Sequence, residues 1–163
     1  TVVEFISYEG EMTAADGPAA GMTSVDIGIA QSYQTPVGES LQRTGSICAP
    51  ASWVSAPRTR GAINYMQYIE VCVLSIPDLF FNEFHYNDIG VDDGEFIEVA
   101  GNINTDLTDW SIALYNGNDD QVYDTVSLTG CALSNEVMGV GFYVVGFPTN
   151  GIQNGAPDGI ALV

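Results

Sequence analysis

No stretch of this chain repeats apolar residues at the 3.6-residue period of a helix over a dozen positions, and that absence constrains the fold more than any motif does. What recurs instead is a short β-branched or aromatic run, closed by glycine, proline, asparagine or aspartate. Thr1 to Tyr8, Val25 to Ile29, Glu39 to Arg43 and Ser52 to Ser55 read as strands in the first part. Leu79 to Tyr86, Glu95 to Ala100, Trp110 to Tyr115, Gln121 to Leu128, Gly141 to Phe147 and Gly159 to Val163 read as strands in the second. Asn116-Gly117 through Asp120 predicts a hairpin loop, with Val122, Asp124 and Val126 on one face of the answering strand. The fold class expected is all-β and sandwich-like, with Trp53 and Trp110 as core anchors. An apolar share of 46% over 163 residues is enough for a real core in one domain or two small ones.

Tyr65 to Pro77, YMQYIEVCVLSIP, is apolar enough for a strand, yet its length and closing proline read as a connection. The expected organisation is residues 1–64, a linker 65–78, and residues 79–163. Fully extended, that linker reaches up to about 45 Å.

Charge narrows the function. Twenty-one acidic residues stand against three arginines and no lysine, a net charge of −18. Such a surface repels nucleic-acid phosphates, so nucleic acid is not an expected partner. Salt or divalent cations relieve the self-repulsion, which fits an extracellular setting better than cytosol. Without lysine there is no P-loop, Schiff-base lysine or lysine-derived isopeptide. With His85 the single histidine, no two-histidine metal site forms within one chain. No run of 18 apolar residues is present, so helical membrane insertion is not expected.

Candidate chemistry is sparse. Asp88, Asp92, Asp93 and Glu95 lie within eight residues in a glycine-containing turn, which makes calcium the candidate cation, against the plainer reading of a solvated acidic turn. Glu83, Glu95 and Glu98 lack the partners that acid–base catalysis needs, and Glu83 with His85 on one strand face predicts a local hydrogen bond. Gly139-Val140-Gly141 has no strand-loop-helix context, and neither Ser40 nor Ser52 has nucleophile-elbow surroundings. An enzyme is therefore not expected. Cys48, Cys72 and Cys131 show no CxxC spacing. They leave open one disulfide with a third thiol free or intermolecular, or three buried thiols. The many tyrosines and phenylalanines read mainly as packing, with a platform for surface polysaccharide as the alternative.

Several segments together carry a resemblance. Asn82-Glu83-Phe84 with Tyr86, then Asp93 to Val99, then Asp106-Leu107-Thr108-Asp109-Trp110 resemble the opening strands of the lamin tail domain of secreted bacterial proteins. Asn150 to Val163 resembles a later strand pair of that domain. Val2 to Gly10, Asp16 to Gly21, Thr35 to Gly38 with Ser40-Leu41-Gln42, and Gly61 to Asn64 resemble what normally comes after it. The resemblance covers most of the chain, in permuted order: 79–163 is similar to the first half and 1–64 to the second. It implies an immunoglobulin-like β-sandwich without catalytic residues, found as an accessory module of secreted nucleases and proteases or in surface proteins.

Either half alone would leave sheet edges open. The permuted chain closes on itself, is a window on a tandem array, or is completed by the next copy head to tail. Because the chain starts and stops inside strands, the expectation favours the last two. That makes copies of itself the expected partners, in an extracellular filament or surface array. The assembly residues would be Thr1, Val2, Val3, Phe5, Ile160, Leu162 and Val163, with Cys48, Cys72 or Cys131 locking the junction. The alternative is an accessory binding or adhesion domain of a secreted hydrolase.

Overall fold

A computed structural model describes residues 1–69 and 77–163. Its strands are β1 (Glu4–Tyr8), β2 (Val25–Asp26), β3 (Glu39–Ser46), β4 (Ser52–Pro57), β5 (Gln67–Tyr68) and β6 (Phe80–His85). They continue as β7 (Phe96–Asn102), β8 (Ser111–Asn116), β9 (Gln121–Ser127), β10 (Ser134–Val137), β11 (Val140–Gly146) and β12 (Asp158–Leu162). The described residues contain no helix, and none is therefore long and apolar enough to cross a membrane. The all-β class holds, with two sheets, consistent with a β-sandwich.

The chain forms two compact units, and each draws strands from both sequence halves. Unit 1 holds a five-stranded sheet in the order β2-β1-β12-β8-β9. β1 lies antiparallel to β12 from Glu4↔Leu162 to Tyr8↔Asp158, and parallel to β2. Its core gathers Phe5, Met12, Ala14, Ala19, Ala113, Tyr115 and Ala161, with Val2, Val122 and Val163 packed against them. The Tyr115 hydroxyl accepts from the Ala19 N–H at 2.9 Å, pinning the irregular stretch after β1 to the sheet. Gly117 is required here: a Cβ would stand 1.7 Å from the Pro157 carbonyl oxygen.

Unit 2 holds the order β10-β11-β7-β6-β3-β4, with β5 pairing in parallel to β3. β6 is buried along its whole length, and β7 along all but its last residue. A bulge sits in β6, where Phe81 faces Val99 and Glu83 faces Glu98, leaving Asn82 as the extra residue.

Several expectations are corrected. The strand at Val25 closes after Asp26, because Gly28 takes a left-handed conformation. β10 was not expected, since SNEV has no strand pattern of its own, and β5 is a two-residue strand within the segment read as a connection; both form beside longer neighbours. The alternation expected for β9 is interrupted by a bulge, since Leu114 faces Asp124 but Tyr115 faces Val122. Trp53 and Trp110 are only half-buried, and the largest fully buried side chains are Tyr8, Tyr86, Tyr115, Phe81, Phe84, Phe96 and Phe142. Burying indole completely needs more space and an N–H partner, which tyrosine and phenylalanine obtain more easily. The described ends of the 65–78 segment are tied to neighbouring strands by backbone bonds. Gly45 and Ile47 donate backbone bonds to Met66 and Tyr68, and Asn102 donates to Pro77 at 3.0 Å. The middle of that segment, Cys72 included, lies outside the described residues.

Candidate functional site

The segment Pro57 to Asn64 has no strand period, and its shape comes from what it rests on. Thr59 sits over β6: its N–H donates to Glu83 Oε1 at 2.9 Å and its hydroxyl to Glu83 Oε2 at 2.7 Å. Ser40 adds a hydroxyl donor to Glu83 at 2.6 Å. Two residues on, the Gly61 N–H donates to Glu98 Oε2, and the bulged Asn82 donates to Glu98 Oε1 at 2.8 Å. Asn64 and Gln67 close the network through Asn82, with the Asn64 amide on the Asn82 carbonyl at 2.6 Å and the Gln67 amide on Asn82 Oδ1 at 2.7 Å. Glu83 and Glu98 are both fully buried and directly opposite each other. Burial pushes the Glu98 carboxyl up to about 7, with nearby Glu83 adding to the rise and the Gly61 and Asn82 bonds opposing it.

The alternate residues of the same segment carry two of the chain's three cations. Arg58 reaches Asp88 at 3.4 Å, and Arg60 lies over the Phe96 ring at 4.0 Å while donating to the Gly94 carbonyl. An open cavity of about 500 Å³ is lined by Arg58, Thr59, Arg60 and Ala62. Burial and then the charge of Arg60 lower the Arg58 pKa.

The four calcium candidates lie on the loop between β6 and β7 that Arg58 and Arg60 reach, each with a protein partner of its own. Asp88 takes Arg58, and Asp92 accepts the Asp88 N–H at 3.0 Å. Asp93 accepts the Gly94 N–H at 2.9 Å, and Glu95 accepts the Gly151 N–H at 2.6 Å. Among the described residues no group of three or more His, Cys, Asp or Glu side chains is placed to hold a metal ion.

His85 and Glu83 do not make the local bond expected of them. The bulge and the neighbouring strand give Glu83 the donors above, while His85 Nδ1 faces Gln31 Oε1 at 3.0 Å. That oxygen already accepts the Tyr86 N–H at 2.9 Å, so Nδ1 is the donor and carries the proton. His85 Nε2 lies 3.4 Å from Asp88 Oδ2 and makes no hydrogen bond. Burial, then Arg58 and Arg60, lower the His85 pKa to about 4, and it is neutral at pH 7. Burial likewise raises the Asp88 pKa.

The assembly residues lie elsewhere, in unit 1. Phe5, Ile160 and Leu162 are buried within paired β1 and β12, and the N–H of Val3 donates to the Leu162 carbonyl at 2.8 Å. Val2 and Val163 pack on the same core, and Thr1 is exposed. These strands, expected to pair across a junction between copies, pair here with each other. Cys48 is disulfide-bonded and Cys131 is a free, half-buried thiol. Of the candidate aromatics, Phe80, Phe81, Phe84, Tyr86 and Tyr115 are buried, while Tyr65 and Tyr68 are exposed. No family model, curated protein or solved structure matches the chain.

Proposed function

We propose that this chain is a non-enzymatic extracellular binding module, a lamin-tail-like, immunoglobulin-like β-sandwich in permuted order that is complete within one chain. The observation that carries the reading is the β1–β12 pairing, with both strands buried between neighbours in one sheet. A module whose halves complete each other has no open edge at that place and needs no second copy to cover it. The net charge of −18 and the disulfide at Cys48 support an oxidising, extracellular setting. The best-organised polar cluster is spent on internal bonds, which supports a binding rather than a catalytic role.

Head-to-tail assembly is the second reading. The β1 and β12 partners lie far apart in sequence, so the same register forms equally well between two copies that exchange β1. Light scattering on the isolated chain over a hundredfold concentration range separates the two. A constant mass of one chain supports the closed module, and a mass that climbs with concentration replaces it with the exchanged assembly.

A further inference from the structure

Two neighbouring loops of unit 2 expose large apolar side chains. Tyr33 is 74% exposed, Val37 73%, Ile89 54% and Val91 68%. The loops are held together, because the Ile89 N–H donates to the Thr35 carbonyl at 2.9 Å. Each is also closed internally: the Ser32 N–H donates to the Thr35 hydroxyl at 2.8 Å, and the Asp88 N–H to Asp92 at 3.0 Å. Beneath them, Arg58 links both loops, donating its backbone N–H to Gly38 at 2.9 Å and its guanidinium to Asp88 at 3.4 Å. The four side chains are therefore presented on a preorganised base. Water-exposed apolar groups concentrated on ordered loops mark an interaction surface rather than random exposure.

Charge chooses the occupant. Glu39 and Asp93 rim the loops, while Arg58 and Arg60 are committed to Asp88, Gly94 and the Phe96 ring. A second copy carries the same −18, and nucleic acid or an anionic bilayer is repelled in the same way. What fits an apolar centre in an acidic field is a basic polypeptide with apolar anchors. We propose that the Tyr33–Val37 and Ile89–Val91 loops dock a lysine- or arginine-rich polypeptide segment through its apolar residues, with Glu39 and Asp93 contacting its charges. This rests on the binding-module reading and names its surface and partner class.

The test uses calorimetric titration of the full chain with two synthetic peptides of equal charge, an oligolysine and a longer lysine–leucine peptide with the same number of lysines. Wild type is expected to bind the lysine–leucine peptide at least tenfold more tightly than oligolysine. The Tyr33→Ser/Val37→Ser/Ile89→Ser/Val91→Ser variant should lose that preference while keeping its melting temperature. Val91→Ser alone, at an exposed loop position, should lose part of it and guards against misfolding of the quadruple variant. Glu39→Gln/Asp93→Asn should weaken binding and flatten its salt dependence. Equal affinity for both peptides, a preference that survives the loop variants, or no binding of either peptide overturns the proposal. Light scattering reports on the binding-module reading separately, because oligomeric state does not depend on these loops.

Discussion

Replacing Glu98 with glutamine isolates the least comfortable charge in unit 2. In the unfolded chain this carboxyl ionises near its ordinary 4.5, but in the folded protein only near 7. The folded state thus binds the proton more tightly, and stability falls as pH rises from 4.5 through 7. At about 1.4 kcal/mol for each tenfold change in proton affinity, ionised Glu98 costs roughly 3 kcal/mol above that window. His85 has the opposite slope. Its folded pKa, lowered to about 4, means that stability is lost as pH falls through the window from its ordinary 6.5. The two slopes largely offset each other, so the wild-type profile should be shallow between pH 4.5 and 7. Urea unfolding of wild type and Glu98→Gln, followed by fluorescence of Trp53 and Trp110, removes the histidine contribution by difference. Glutamine still accepts the Gly61 N–H but meets the Asn82 amide badly, which sets a constant offset between the curves. On that offset the variant should gain about 3 kcal/mol relative to wild type from pH 4.5 to 7.5. A gap that stays constant across that range refutes the assignment of the burial cost to Glu98.

Gly117→Ala should destabilise unit 1 by roughly 1–3 kcal/mol or prevent folding, because its Cβ meets backbone oxygen rather than a movable side chain; thermal melting decides. Arg58→Met leaves Asp88 buried without its cation and should cost roughly 1–3 kcal/mol in urea unfolding. Millimolar calcium should leave the wild-type melting temperature in place, since each carboxylate of the acidic loop has its own protein partner; a rise of several degrees would revive the calcium site. Thiol titration of the unfolded, unreduced protein should give one thiol per chain, that of Cys131, and none is expected if Cys131 bridges two copies.

Strand positions were legible because their cause is local. Alternation in Gln121 to Leu128 and the β-branched run from Gly141 place apolar groups on a pleat before any partner is known. The less legible elements depend on neighbours. Gln67–Tyr68 and Ser134–Val137 become strands only because β3 and β11 offer free backbone groups. The calcium candidates show the same limit. Four acids in eight residues are visible in the sequence, but the two arginines that contact their loop come from thirty or so positions earlier. The Pro57 to Asn64 segment read only as a polar turn, because the carboxylates that shape it lie on β6 and β7.

By itself, the sequence determined the all-β class, the strand list in outline, and the large acidic excess, since these follow from periodicity, turn residues and composition. Tertiary structure alone decided which strands pair, that β1 lies against β12, and that burial moves the Glu98 pKa up to about 7 and the His85 pKa down to about 4. The physical reason is that backbone bonds and burial are long-range here. A strand's period says which face is apolar, but which edge it joins, and what a buried carboxylate meets there, depends on residues far away in the chain.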